Sequence, residues 1–225
     1  MKTFFTIALG FLSFYMVNAQ ASLFNEAFRF NKFMDRVNSP KGDQLNYADI
    51  EGNAYFAKTF ISANIENATN LVKTRYNMYT DTVELLNEET IFELPKSTKY
   101  GRIVFQNPPA VLLFLNESSI AAGYYFELVK GKYTLLKKMK TEFREGSKAI
   151  NSFTPAISPR FENLNPEYFL KTETGFIKVT KSSKDFEKAM PAQQTETADF
   201  IKKNKLKLNN EEDLIKLVKF LNSPK

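Results

Sequence analysis

The residues of this sequence that could do chemistry are carboxylates and tyrosines grouped in one short segment. Within Arg75–Glu84, Asp81 and Glu84 accompany Tyr76 and Tyr79. Two carboxyl groups held across a cleft are what a glycosidase needs, with one acting as acid and the other as base or nucleophile. The same residues also fit an architectural hairpin, in which Asp81 forms the turn and Glu84 lies on an outer face. The residue types favour the architectural interpretation, because charged residues at turns are mostly structural.

The composition excludes several other kinds of active site. The chain has no His and no Cys, which rules out Ser-His-Asp and Cys-His sites and metal sites built on imidazole or thiolate. The closest pair of its 8 glycines, Gly123 and Gly131, is too widely spaced for a P-loop or a dinucleotide-binding turn. No Ser-x-x-Lys motif and no Asp-x-Asp-x-Asp-Gly loop occurs. The sequence therefore predicts no cofactor and no metal, and carboxylate chemistry is the enzymatic route left open.

The first nineteen residues predict export. Lys2 precedes an apolar run over residues 4–17, and Val17-Asn18-Ala19 stands before Gln20 as a signal peptidase requires. The run is too short to span a membrane comfortably, and no later stretch approaches that length. We expect a soluble mature chain without a transmembrane span, located in the periplasm or outside the cell.

The basic residues admit two interpretations. The formal charge is +6, and lysines cluster at residues 137–140 and 202–207. These clusters could contact lipid headgroups or anionic glycans, but a charged strand edge and a helix C-terminus explain them equally well. Export makes nucleic acid an unexpected partner. An envelope protein or a glycan remains a candidate partner, and the sequence does not choose between them.

Hydrophobic periodicity predicts an α+β fold that is mainly antiparallel β. Residues 1–19 form the signal peptide, 20–45 an N-terminal helix and linker, 46–180 an antiparallel β domain, and 181–225 a cap of two to three helices. Successive hairpins indicate a meander-like sheet or an open barrel.

Three hairpins and two further strands carry this β prediction. In the first hairpin, alternation places Val72, Thr74, Tyr76 and Met78 on one face. The predicted hairpins pair residues 71–79 with 82–86, 123–129 with 132–140, and 168–171 with 176–180, and short apolar runs cover 102–105 and 111–115. The run at 111–115 (VLLFL) is expected to be buried on both faces.

The sequence also predicts which side chains of the second hairpin share a face. Tyr124, Phe126 and Leu128 are expected to share a face, and Tyr133 and Leu135 on the neighbouring strand are expected to pair across from them.

Helices are predicted at 184–190, at 195–203 and after Asn210. Ser183 is the expected cap of the first, and Asn210 caps the last, whose apolar stripe comprises Leu214, Leu217, Val218 and Leu221.

Three segments resemble a family of signal-bearing exported proteins from Bacteroidetes that has no assigned activity. The segment Arg75–Glu84 (RYNMYTDTVE) is similar to the family's R-Y-N-x-Y-x-D-x-hydrophobic-E pattern. Residues 123–132 (GYYFELVKGK) and the ending from 202 to 218 are also similar to it. The resemblance covers about residues 50–222 and implies the compartment and the type of fold, but it carries over no catalytic residue.

These observations favour an exported non-enzymatic structural or binding protein of the bacterial envelope. A carboxylate-based hydrolase acting on glycans is one alternative, and a β protein that binds an apolar ligand is another. Two facing carboxylates in a cleft would favour the hydrolase, and a roomy aromatic cavity would favour the apolar-ligand protein.

We predict cleavage between Ala19 and Gln20. N-terminal sequencing and intact mass of the exported protein should give a chain that begins at Gln20. A mature protein that retains Lys2 would contradict the predicted export.

Overall fold

The structure, a computed structural model, describes residues 22–32, 47, 50–147, 156–190 and 193–224. It is α+β, with a large antiparallel meander sheet of ten strands that is not closed, an N-terminal helix and C-terminal helices. The predicted fold class is confirmed, and the arrangement found is an open sheet. The expected signal peptide lies outside the described residues, and so do residues 33–45, which belong to the predicted N-terminal helix and linker.

The strands are β1 (Ile61–Ile65), β2 (Val72–Asn77), β3 (Thr82–Asn87), β4 (Thr90–Glu93), β5 (Arg102–Gln106), β6 (Pro109–Leu115), β7 (Gly123–Val129), β8 (Thr134–Lys138), β9 (Thr141–Arg144), β10 (Arg160–Asn163), β11 (Glu167–Thr172) and β12 (Gly175–Lys178). The helices are α1 (22–32), α2 (Ser183–Lys188), α3 (Gln194–Asn204) and α4 (Glu211–Leu221), with a 3-10 turn at Thr98–Tyr100.

The chain divides into two compact units, each made of two stretches of sequence. The first unit comprises residues 1–110 and 140–164, and the second comprises 111–139 and 165–225. The strand order in the first unit is β5-β1-β2-β3-β4, with β9 and β10 as a separate two-stranded sheet. The order in the second unit is β12-β11-β8-β7-β6, and α2, α3 and α4 belong to this unit.

The β2–β3 hairpin forms where alternation predicts it. The side chains of Val72, Thr74, Tyr76 and Met78 are all buried, and Tyr76 lies opposite the buried Val83. Because strand side chains alternate between faces, the residues between them project to the other side of the hairpin. The predicted face is confirmed.

Helix α1 packs on the outer strand of the first unit. Leu23 and Ala27 are fully buried, and the ring of Phe24 meets that of Phe92 edge-on at 6.3 Å. The Asn31 side chain completes the attachment, since its Nδ2 donates to the Glu93 carbonyl at 2.9 Å and its Oδ1 accepts from the Glu93 amide at 3.0 Å. The Asn31 side-chain amide thus pairs with both the backbone N–H and the backbone C=O of Glu93 on strand β4.

The β7–β8 hairpin contains a bulge that alternation did not predict. The pairing register shifts between Glu127 and Val129, so Val129 lies opposite Leu135. Val129 rather than Leu128 therefore lies across from Leu135, and Leu128 packs, partly buried, against the same cluster as Val129 and Leu135. A bulge sets two residues of one strand against one of its partner, which moves every later side chain to the opposite face.

Two other strand predictions have different outcomes. The β11–β12 hairpin is confirmed, with Thr172 paired to Gly175 across a two-residue turn. In β6, Leu112 and Phe114 are buried, but Leu113 and Leu115 are only partly buried against a small cluster around Tyr125. The prediction that this run is buried on both faces is wrong, because one of its faces keeps partial contact with solvent.

The C-terminal helices pack against the second unit's strands. Leu214, Leu217, Val218 and Leu221 of α4 are buried in a cluster that includes Leu135 and Leu170, as the stripe predicted. Asn210 caps α4 by accepting from the Asp213 amide at 3.0 Å. The α2 cap is Ser182, which accepts from the Asp185 amide at 3.3 Å, so the prediction of Ser183 is wrong by one residue.

Asn222, at the end of α4, attaches that helix to the loop before β8. Its Nδ2 donates to the Tyr133 carbonyl at 2.7 Å, and its Oδ1 accepts from the Tyr133 amide at 2.8 Å. Gly131 makes room for this side chain, since a Cβ there would lie 2.6 Å from the Asn222 amide group. At the other end of the helix, Glu211 accepts from the Tyr168 hydroxyl at 2.8 Å.

We predict that Leu217→Ala lowers the free energy of unfolding by about 2–4 kcal/mol, because it leaves a cavity at a fully buried position. Lys219→Ala, at an exposed position of the same helix, is the matched control and should change little. Asn210→Ala should cost about 1 kcal/mol through loss of the cap. Urea denaturation of the three variants measures these effects, and an unchanged midpoint for Leu217→Ala would show that α4 does not contribute to the core.

Candidate functional site

The Arg75–Glu84 segment forms one hairpin whose two faces have different neighbours. Tyr76 belongs to the buried face with Val83. Arg75 lies directly opposite Glu84 in the register, and both side chains project from the other face. Alternate side chains of this segment therefore lie in the core and on a face that forms an open cleft.

Asp81 and Tyr76 interact with each other on the core side. Asp81 occupies the turn with a left-handed backbone (φ 56°), and its Oδ1 accepts from the Tyr76 hydroxyl at 2.7 Å. Lys96 Nζ lies 3.7 Å from the other Asp81 oxygen. Asp81 and Glu84 thus have different partners, and Glu84 lines the open cleft whereas Asp81 does not.

The open cleft has a volume of about 390 Å³ and combines tyrosines, hydroxyls, an amide and two carboxylates. We call it the tyrosine–carboxylate cleft, and its lining residues are Tyr47, Tyr55, Asn77, Thr80, Thr82, Glu84 and Glu93. Of the four site residues predicted from the sequence, only Glu84 lines it. Tyr79 lies beside it, with its ring centroid 6.4 Å from that of Tyr47.

Glu84 is held by Arg75. The guanidinium donates twice to the same oxygen, with Nη2 at 2.5 Å and Nε at 3.1 Å from Oε2. The Arg75 guanidinium carbon also lies 3.7 Å from the ring centroid of Tyr55 and 4.4 Å from that of Phe60. Such stacking fixes the plane of the guanidinium and limits the freedom of the carboxylate that it binds.

Glu93 has a different environment. It lies directly opposite Glu84 in the β3–β4 register, and its side chain is half-buried. Within the described parts of the chain, its carboxylate has neither a hydrogen bond nor an ion pair. Burial raises the pKa of Glu93, the positive charge of Lys96 opposes this, and the negative charge of Glu84 adds to it.

The two cleft tyrosines belong to an aromatic cluster. The Tyr47 ring centroid is 5.7 Å from that of Tyr55 and 4.8 Å from that of Phe161, and Phe161 also contacts Tyr79 at 5.4 Å. Burial raises the pKa of Tyr47 and, more strongly, that of Tyr55, whose pKa the charge of Glu84 raises further. Both hydroxyls are therefore neutral hydrogen-bond donors at neutral pH.

The polar floor of the cleft is formed by the hairpin turn. Asn77 Oδ1 accepts from the backbone amides of Tyr79 at 3.0 Å and Thr80 at 3.2 Å, and its Nδ2 donates to the Tyr47 hydroxyl at 3.4 Å. The hydroxyls of Thr80 and Thr82 lie 2.7 Å apart and share a hydrogen bond. The Asn77 oxygen is thus fully used by the turn.

The two lysine clusters noted in the sequence have structural roles. Lys137 pairs with Glu211 at 2.6 Å, and the buried Lys138 donates to the Tyr124 carbonyl at 2.9 Å. Strand β8 lies between β7 and β11, so the first cluster is not at a strand edge. In the second cluster, Lys202 and Lys203 occupy the last turn of α3, where positive charge stabilises the helix.

Two further features concern metals and membranes. Among the residues that the structure describes, no group of three or more acidic side chains could hold a metal ion. No helix in the same ranges is both long and apolar enough to cross a bilayer.

Tyr47, Tyr55 and Glu93 were not predicted as site residues from the sequence. In the structure, a two-residue turn at Glu88-Glu89 places Glu93 opposite Glu84, and Glu88 has a positive φ (55°). A Glu-Glu pair is not one of the residue pairs that mark such a turn in a sequence. Nothing in the local pattern connects Tyr47 or Tyr55 with the hairpin.

Comparisons with known proteins add no relative: no protein-family model, no curated protein and no solved structure matches the chain.

We predict that Glu93→Gln raises the free energy of unfolding at neutral pH. A raised pKa means that ionised Glu93 disfavours the folded state, and this cost disappears as the pH falls through the raised pKa towards the ordinary value of 4.5. The difference from the parent should therefore shrink in acid. Glu89→Gln removes the same charge at an exposed position of the same hairpin and is the control. Denaturation of both variants across the acid range tests this, and a less stable Glu93→Gln at neutral pH would contradict it.

Proposed function

We propose that the protein is an exported, non-enzymatic binding module of the bacterial envelope whose ligand is a glycan. The observation that carries this proposal is the tyrosine–carboxylate cleft. It is an open surface cleft of about 390 Å³, and its lining mixes aromatic rings with a few polar groups. Saccharides present C–H surfaces that pack on aromatic rings and hydroxyls that donate to carboxylates.

The pairing of Glu84 with Arg75 supports a preformed binding surface. Both Arg75 donors bind one Glu84 oxygen, and the guanidinium is itself packed on Tyr55. The carboxylate is therefore held in one orientation before a ligand arrives, which reduces the entropy lost on binding.

The envelope location is supported by the sequence alone. The leader over residues 1–19 has the layout of a signal peptide. The resemblance of residues 50–222 to exported Bacteroidetes proteins points to the same compartment. These two observations motivate the choice of envelope and environmental glycans as candidate ligands.

A glycan hydrolase is the second candidate, and one observation favours it. Glu84 and Glu93 are cross-strand neighbours, whose Cβ atoms are typically about 5 Å apart, so side chains of this length can bring their carboxyl groups to the separation of about 5 Å found in retaining glycosidases. Burial also raises the pKa of Glu93, which is the property of a general acid.

The apolar-ligand alternative has less support. The cleft contains too many polar groups for a purely apolar ligand. A smaller cavity in the second unit, of about 200 Å³, is lined by Thr172, Glu173, Thr174 and Gln193 as well as by Tyr133 and Met190. The apolar side chains around α4 pack against one another as a filled core.

A binding and turnover screen tests the proposal. The mature protein, applied to a panel of envelope and plant glycans, should bind at least one of them and release no reducing ends. Tyr47→Ala should weaken that binding about tenfold, or about 1.4 kcal/mol, and Leu71→Ala, at an exposed position outside the cleft, should leave it unchanged.

Turnover that is abolished in a folded Glu93→Gln variant would support the hydrolase and overturn the binding module. Absence of binding to every glycan of the panel would overturn the proposed ligand class.

A further inference from the structure

We propose that the tyrosine–carboxylate cleft selects glycans that carry a free primary amine, and that the Glu93 carboxylate binds the ammonium group. This inference rests on the proposed function and names the class of glycan that the same cleft recognises. The observations that carry it are the charge balance of the cleft, the fixed backbone of Glu93 and the hydrogen-bonding groups that the hairpin leaves unused.

The charge balance of the cleft points to a cation. Arg75 neutralises Glu84, at 2.5 Å. Lys96, the other cation close to Glu93, lies 3.7 Å from Asp81. Across the described residues, the Glu93 carboxylate has no hydrogen-bonding or ion-pairing partner. This half-buried carboxylate is thus open to a ligand cation, which would balance its charge and take the place of solvent as its hydrogen-bond donor.

The position of Glu93 is fixed by groups outside the cleft. Asn31 of α1 holds both its backbone amide and its backbone carbonyl. The backbone of Leu94, the next residue, donates to the Val83 carbonyl at 2.7 Å. The carboxylate therefore projects from a rigid origin, which reduces the entropy lost when a ligand binds.

Among the polar groups of the cleft, the two carboxylates can only accept hydrogen bonds when ionised, whereas the hydroxyls both donate and accept. The Asn77 oxygen is used by the turn, while the hydroxyls of Thr80 and Thr82 share one hydrogen bond. Both oxygens of Glu93 are left as acceptors, and an ammonium group supplies three donors together with the missing charge. A neutral diol would supply donors but would leave the Glu93 charge unbalanced.

The neighbouring aromatic rings suit the same ligand. Tyr47, whose ring centroid is 5.7 Å from that of Tyr55, provides an aromatic ring and a hydroxyl beside the carboxylates, while the Tyr55 ring already stacks with Arg75. Aromatic rings attract cations as well as C–H surfaces. The chain as a whole carries a net charge of +6 and would attract anions, so a preference for an amine must come from this local site.

A matched pair of oligosaccharides tests the inference. Tetramers of β-1,4-glucosamine and of β-1,4-N-acetylglucosamine share a backbone, but acetylation removes the positive charge. Calorimetric titration of the mature protein, at a slightly acidic pH that protonates the amines, should show at least about tenfold tighter binding of the glucosamine tetramer. Added salt should reduce this preference, because screening weakens an ion pair at a partly exposed site.

Two variants locate the effect. Glu93→Gln keeps the backbone hydrogen bonds to Asn31, and it should bind both tetramers with similar affinity. Glu89→Gln removes one exposed negative charge from the same hairpin and should keep the full preference for the glucosamine tetramer. A melting curve for each variant establishes that it is folded.

The outcomes separate this inference from the proposed function. Equal affinity of the parent for both tetramers, or a preference that survives in Glu93→Gln, overturns the amine selectivity and leaves glycan binding in place. Failure of both tetramers to bind overturns the amine selectivity, and if the wider panel also fails, the proposed function falls with it. If the parent hydrolyses the glucosamine tetramer, the proposed non-enzymatic role is overturned. If it also prefers that tetramer and loses the preference in Glu93→Gln, the amine selectivity is supported.

Discussion

The first unit depends on one constraint, the strict alternation of side chains along the β2–β3 hairpin. Tyr76 and Val83 enter the core together, so Arg75 and Glu84 must meet on the opposite face. A shift of one residue in this pairing would send Arg75 into the core and expose Tyr76. The cost of burying an unpaired charge fixes the register, and the register in turn builds the cleft.

Each of the two units attaches a helix through an asparagine amide. Asn31 binds the amide and carbonyl of Glu93, and Asn222 binds those of Tyr133. An amide side chain offers one donor and one acceptor, the complement of a residue whose backbone groups point outward. At Glu93 this contact also matters for the proposed site, because the backbone of Glu93 is hydrogen-bonded to α1 while its side chain lines the cleft.

Glu211 provides a contrast to Glu93, because its carboxylate has partners among the described residues. Glu211 receives both Lys137 and the Tyr168 hydroxyl, and the buried Lys138 has a backbone carbonyl as its acceptor. These groups stabilise the contacts between α4 and its strands or satisfy buried polar atoms. Glu93 faces another carboxylate instead, and like charges directly opposite each other are destabilising in a sheet. A site that accepts this cost is a natural candidate for ligand binding.

The sequence by itself determined the fold class, the three hairpins and the α4 stripe, since each depends on local periodicity and on caps such as Asn210. It could not determine the bulge at Leu128 or the docking of Asn31 and Asn222, which require knowledge of the packed partner. It identified Glu84 as a candidate but joined it to Asp81, its near neighbour in the chain. Only the tertiary structure showed that Glu84 shares its cleft with Glu93, Tyr47 and Tyr55 and not with Asp81. Pairing between strands and packing against a distant segment bring together residues that are far apart in the chain.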